Sequence, residues 1–368
     1  MLDSRFYPHI FDAIVQLTPP AGLLVLRECS RTLRDRAYNR LFEHVEVVLP
    51  PDELGIDLTV VPFGSQLSFQ LLWDVPTTDS INWSAAIIRR TDLNPKGLEY
   101  VERVHVSEYI KKVRVIDLCG MSEYDLYGSH EALQHFLDST SMTNGPTLRF
   151  LGPPNYIAIG VQNAWCLRTR VRECIVFDYA WINIPISDRL VHTIFCRPGD
   201  VAAGDKVIIN LRLEVGPITG YPLSSSPLEV MVIHLVHSDD TLAPVDTDSS
   251  PILHQILSIP FTWETNGGYL PPQVTVVGGA QECRISLGLP PTASDDEFFT
   301  ALDSTAVSSP SAQDWVTITM SSPDAIVTHW REYVRFISPK EYAAEVGAAQ
   351  VALETQVDPW SVPAVYIP

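Results

Sequence analysis

Apolar positions along the chain change period near His44. Before it, Ile10, Phe11, Ile14 and Leu17 recur at i, i+1, i+4 and i+7, one face of a helix. Pro8 stands where a first helical position tolerates proline. Thr18-Pro19-Pro20 ends that helix, because the residue before a proline is pushed out of the helical region. A second short helix follows with Leu23, Leu24, Val25 and Leu26. A third starts after Ser30, a residue type that caps helices, and carries Leu33, Ala37 and Leu41 at i, i+4 and i+8. Its other face holds Arg31, Arg34, Asp35 and Arg40. Three helices this short bury little surface alone, so the head is expected to lean on the body or on a partner.

From His44 the period is two. Val45, Val47 and Leu49 alternate with His44, Glu46 and Val48; Leu67, Phe69, Leu71 and Trp73 alternate with Ser68, Gln70 and Leu72. This predicts strands, and the breaks at Pro50-Pro51 and Phe63-Gly64-Ser65 predict antiparallel pairing over 44–73. Beyond residue 100, short apolar runs recur at 113–118, 147–151, 172–177, 207–211, 228–236, 274–277 and 315–319. Helical patterns at Tyr127–Ser139 and Ser187–Phe195 lie between some of them. Their spacing, roughly 25–40 residues, is that of stacked strand-plus-helix repeats. Continuous apolar strands joined by crossovers imply parallel pairing with both faces covered.

The expected fold class is therefore α/β. It has a helical head over 1–43, a β-rich first segment over 44–100, and a body to residue 368 of irregular repeats with mostly parallel strands. The same signals also fit a self-contained α/β sheet. Asp239–Pro251 and Pro290–Gln313 read as surface loops, the second with one short helix at Phe298, Phe299 and Leu302. Ser322-Pro323-Asp324 predicts a helix carrying Ile326, Val327, Trp330, Val334 and Phe336. Ser338-Pro339-Lys340-Glu341 predicts another, stopped at Gly347.

Composition narrows the function classes. Apolar residues are 46% and charged residues 19%, which excludes a mainly disordered chain and a coiled-coil rod. No run approaches the roughly 18 apolar residues of a membrane helix, and Met1-Leu2-Asp3-Ser4-Arg5 does not open a secretory leader. The expected setting is cytoplasm or nucleus, with the six cysteines as free thiols. The net charge of −19 repels phosphate backbones, so nucleic acid is not an expected partner, and without a long apolar run neither is a membrane. The charge is uneven: residues 1–44 hold six Arg against five acids, a net of +1, leaving −20 for the rest.

Motifs that carry chemistry are absent from the sequence. The cysteines contain no C-x-x-C pair, and His234 and His237 would point to opposite faces of a strand, so no metal site is expected. There is no Gly-x-Ser-x-Gly elbow and no Walker A loop; Gly278-Gly279 lacks a third glycine and a following lysine. His237-Ser238-Asp239-Asp240 reads as a polar turn. No catalytic residue and no cofactor is expected.

The head carries a more specific signal. In order it runs Tyr7-Pro8, Ile10, Phe11, Ile14, Pro19, Leu23, Leu24, Leu26, Cys29-Ser30-Arg31, Leu33, Ala37 and Leu41-Phe42. Over residues 6–43 this resembles the F-box, with Tyr7 where that pattern has Leu and Leu33 where it has Trp. The whole chain is similar to fungal F-box-like proteins with irregular leucine-rich-repeat-like bodies. The resemblance implies a non-enzymatic adaptor that docks on Skp1 in a Skp1–cullin ubiquitin ligase and recruits a target protein through its body. It implies Skp1 contacts from Pro8, Ile10, Phe11, Ile14, Leu23, Leu24 and Leu26, with Arg27 and Arg31 favouring an acidic partner. The alternative is a repeat scaffold whose N-terminal helices only cap its open end. A hydrolase or transferase in the α/β body is a third possibility, to be raised by a pocket with converging polar groups.

Overall fold

The computed structural model describes residues 7–48, 58–63, 67–73, 83–90, 98–119, 135–140, 145–151, 173–180, 206–212, 229–236, 250–267, 270–322 and 324–356. The chain divides into two compact units: Met1–Gly152 with Trp360–Pro368, and Pro153–Pro359. The helical head and the β-rich segment after it thus belong to one unit. The helical pattern at 187–195, most of that at 127–139, the turn at 237–240 and the loop at 239–249 lie outside the described residues.

The first unit opens with three helices, α1 (Pro8–Leu17), α2 (Pro20–Cys29) and α3 (Arg31–Leu41). Pro8 and Pro20 sit at helix starts, where a missing N–H costs nothing. Ser30 caps α3 by accepting from the Leu33 N–H at 3.2 Å. Five strands then form an antiparallel meander: β1 (His44–Val48), β2 (Leu58–Pro62), β3 (Leu67–Trp73), β4 (Trp83–Arg90) and β5 (Leu98–His105). The single-turn helix α4 (Ser107–Ile110) returns the chain across the meander. β6 (Val115–Cys119) adds in parallel to the free edge of β1, and β7 (Thr147–Leu151) in parallel to β6. Register puts Val45 beside Ile116 and Val47 beside Leu118, an apolar face that is fully buried. Tyr38 and Phe42 at the end of α3 pack against Phe69 of β3 and Tyr109 of α4, with ring centroids 4.9–6.2 Å apart. The head therefore shares a core with the strands.

The second unit stacks β8 (Glu173–Ala180), β9 (Lys206–Arg212), β10 (Val230–Val236), β11 (Gln273–Val277) and β12 (Val334–Ile337) in chain order. Every neighbouring pair is parallel. Val207, Ile209, Met231, Ile233, Val274 and Val276 are buried on one face, and Ile175, Ile208 and Val232 on the other. Burial on both sides is why these strands read as continuous apolar runs. Helices fill the connections: α5 (Ser250–Gly267), α6 (Ala280–Ser286), α7 (Asp295–Ser308), α8 (Pro310–Thr319) and α9 (Asp324–Tyr333). After β12 come α10 (Pro339–Val346) and α11 (Ala348–Thr355). The mixed α/β architecture with mostly parallel strands beyond residue 113 agrees with expectation.

Several local expectations are corrected. The run 315–319 is helical, in α8, although its Thr and Ile residues favour strands. Trp315 is buried against Phe261 of α5 and stacks on His329 of α9 at 4.5 Å, and this packing overrides propensity. Thr317 and Thr319 place their hydroxyls on carbonyls four residues back. Residues 290–313 are not a loop: α7 fills most of them, with Phe298, Leu302 and Ala306 buried. Its start is a capping box in which Ser294 and Glu297 satisfy each other's backbone N–H groups. Val334 and Phe336 belong to β12 rather than to the preceding helix. α5, with Pro260 inside it, carries no foreseen pattern. Gly278-Gly279 is a turn at the end of β11; a Cβ on Gly279, at φ +62, would lie 2.5 Å from Leu235 Cδ1. Ser338 forms a second capping box with Glu341, and Gly347 stops α10 at φ 89, as predicted.

Candidate partner-binding surface of the helical head

The core of the head is small. α1 contributes only Val15 as a buried residue, α2 contributes Leu23 and Arg27, and α3 contributes Ala37, Tyr38 and Leu41. Arg36 ties α3 to α1 through Asp12 and the Pro8 carbonyl. Arg27 is buried and donates to the Tyr38 hydroxyl at 3.1 Å, while its own carbonyl accepts from Arg34. The Tyr109 hydroxyl donates to Asp35 at 3.1 Å; burial first, then that carboxylate, pushes its pKa up to about 12.

The residues expected to face a partner divide into three sets. Pro8, Ile14 and Arg31 are exposed. Ile10, Phe11, Leu24 and Leu26 are half-buried. Leu23 and Arg27 point inward and hold the head together, so neither presents a side chain to a partner. In their place the structure exposes two residues outside that set: Leu17 on α1 and Val25 on α2, each 66% exposed. Ile10, Ile14 and Leu17 form an i, i+4, i+7 stripe on α1, half-buried at Ile10 and left in solvent at Ile14 and Leu17. Val25 lies two residues after Leu23, roughly 200° round the helix from it, and so faces away from the core. Four successive apolar residues, Leu23 to Leu26, wrap more than one face, and that was the available signal.

Two buried polar clusters were invisible in the sequence. In the first unit, Asp117 of β6 and Arg149 of β7 are register partners, fully buried, 3.4 Å apart. His44 Nε2 of β1 lies 3.0 Å from the same carboxylate, and its ring stacks on Phe63 at 4.2 Å. Burial holds the His44 imidazole below its ordinary pKa, against the opposing pull of Asp117. In the second unit, the fully buried Glu354 of α11 gathers donors from three other elements. Lys206 Nζ lies at 2.7 Å, His234 Nε2 at 2.9 Å and the Tyr342 hydroxyl at 2.7 Å. Gln350 Nε2 adds a contact at 2.9 Å, and Asn210 donates to the Glu354 carbonyl at 2.7 Å. The first cluster is buried throughout, the second is buried at Glu354, His234 and Tyr342 with Lys206 and Gln350 at its half-buried rim, and both fasten strands and helices together.

Among the described residues no group of three or more His, Cys, Asp and Glu side chains is placed to hold a metal ion, and no helix is long and apolar enough to cross a membrane. No protein-family model, curated protein or solved structure matches the chain.

Proposed function

We propose that this chain is a non-enzymatic adaptor whose helical head docks on a Skp1-type protein and whose repeat-like body recruits a protein target. The observation that carries the reading is the apolar side chains of α1 and α2 left in solvent on a head whose own core is satisfied elsewhere. Apolar side chains at helical spacing on an otherwise charged surface are what a helical partner groove buries. The F-box resemblance of residues 6–43 supplies the partner's identity. Arg31 and Arg34, both exposed, add positive charge at that end for an acidic partner. The parallel strands stacked in chain order in the second unit support a repeat-like body.

The test is binding of the full chain to purified Skp1. Leu17→Asp combined with Val25→Asp is expected to weaken it by at least about 100-fold, since each apolar side chain buried at an interface contributes roughly 1.5–3 kcal/mol. Both side chains are mostly in solvent, so circular dichroism and thermal midpoint should stay near wild type. Wild-type protein that shows no binding at tens of micromolar ends the adaptor reading. The scaffold reading would then stand, favoured by the aromatic core that Tyr38 and Phe42 share with Phe69 and Tyr109, which is how a cap is built.

A further inference from the structure

On the first unit a cleft of about 590 Å³ opens where α1 and α3 meet the turn between α4 and β6. That volume is in the range of small-ligand sites, roughly 300–1,000 Å³. Its lining is unusual for this chain. Arg36, Arg40, Lys111, Lys112 and Arg114 face it, against two acids, Asp12 and Glu43. The excess of three positive charges stands on a protein of net charge −19. Two of the chain's five lysines are here, side by side.

Two of the five cations are committed to the fold. Arg36 is bound to Asp12 and the Pro8 carbonyl, and Arg40 to Glu43. Arg114, two-thirds exposed, must share Glu43, which it reaches at 3.2 Å. Lys111 pairs with Glu108 outside the cleft, an exposed i, i+3 contact of the kind that water readily competes for. Lys112 makes no ion pair among the described residues. The amides of Gln16 and Asn39 add neutral hydrogen-bonding groups to the wall. Backbone geometry gathers this set: the Glu43 carbonyl accepts from the N–H groups of Arg114 and Val115, bringing the end of α3 beside the α4 turn.

We propose that this cleft binds a small anion carrying two or more phosphate groups. Guanidinium forks and lysine ammonium groups converging with amides suit clustered phosphate oxygens. A cleft of this volume matches the size of a small molecule better than that of an extended acidic chain. The site is independent of the Skp1 reading, since none of its five cations lies on the apolar stripe of α1 or on α2.

The probe is inorganic pyrophosphate, titrated calorimetrically into the full chain at low ionic strength. Saturable binding with one site and a Kd of roughly 0.1–1 mM is expected, weakening with added salt. Lys112→Ala with Arg114→Ala should weaken it at least about tenfold, because each removes a charge-assisted contact. Lys340→Ala, an exposed cation of α10 in the other unit, should leave it unchanged. Should the double variant lose its circular dichroism spectrum, Lys112→Ala alone, at an exposed position, gives the same test with a smaller drop. Absence of saturable binding up to about 10 mM overturns the proposal. So does equal loss in the Lys340 variant, or a polyglutamate peptide that binds at these residues more tightly than pyrophosphate.

Discussion

Glu354→Ala is expected to destabilise the second unit by roughly 3–5 kcal/mol, the cost of removing one partner from a buried ionic network. The carboxylate is what Lys206, His234, Tyr342 and Gln350 all face, so truncation strips the buried His234 and Tyr342 of a partner, while the half-buried Lys206 and Gln350 still reach Glu173. The loss should appear as a lower urea midpoint and as faster amide exchange over α10 and α11. Acid should mimic it. Burial by itself would raise the Glu354 pKa, but hydrogen bonds from His234 and Lys206, with the lysine charge, outweigh it and hold the carboxyl at about 2. Its ordinary value is 4.5. The folded pKa is the lower one, so this contribution is fully present above about pH 4.5 and is lost as pH falls towards 2. Its size is about 3 kcal/mol, from 1.36 kcal/mol per pKa unit. Glu354→Gln should therefore flatten the stability profile in that window relative to wild type. An equally steep decline in the variant would show that other carboxylates govern it.

Asp117→Ala should cost the first unit a similar amount, roughly 3–5 kcal/mol, by removing the buried carboxylate that His44 faces at 3.0 Å and Arg149 at 3.4 Å. Chemical denaturation of the two proteins would read the difference. A more discriminating variant replaces both partners, Asp117→Leu with Arg149→Met. Continuum and experimental work on buried pairs in general puts such a swap between neutral and stabilising. The double variant should thus recover part of the loss seen in Asp117→Ala, the remainder coming from the buried His44 ring, which faces the same carboxylate. If both variants are equally destabilised, the cavity or strain left in the sheet is the cause, and the ion pair is incidental.

What could be read from the chain follows the range of the forces involved. The i, i+4 spacing of Ile10, Ile14 and Leu17 and the alternation around Phe69 are local, and they located α1 and β3. Ser338 and Glu341 likewise announced α10. Ser294-Asp295-Asp296-Glu297 has the same logic, but its polarity read as a loop until Phe298, Leu302 and Ala306 found a core to face. Trp315 shows the opposite case, a strand-like run made helical by aromatic partners some fifteen to fifty residues away. The head's outward surface was only half legible. That α1 and α2 carry more apolar residues than a small head can bury is visible in sequence, but whether Leu23 or Val25 turns inward depends on where α3 lies. The anion cleft was not legible at all, because its cations come from residues 36–40 and 111–114 and meet only once β6 pairs with β1.

The chain-ordered strands of the second unit have a consequence for how the protein is made. On the ribosome, each of β9, β10, β11 and β12 emerges to find its template strand already synthesised, so the sheet can grow vectorially without waiting for distant chain. The Glu354 cluster breaks that pattern. It joins Lys206 and His234 to a residue 148 and 120 positions later, so it cannot close until α11 has left the exit tunnel. Until then the lysine, the histidine and Tyr342 lack the carboxylate they face in the finished fold. A nascent chain stalled short of α11 thus carries a stacked but unlatched sheet, and the emergence of α11 is itself the event that locks the unit.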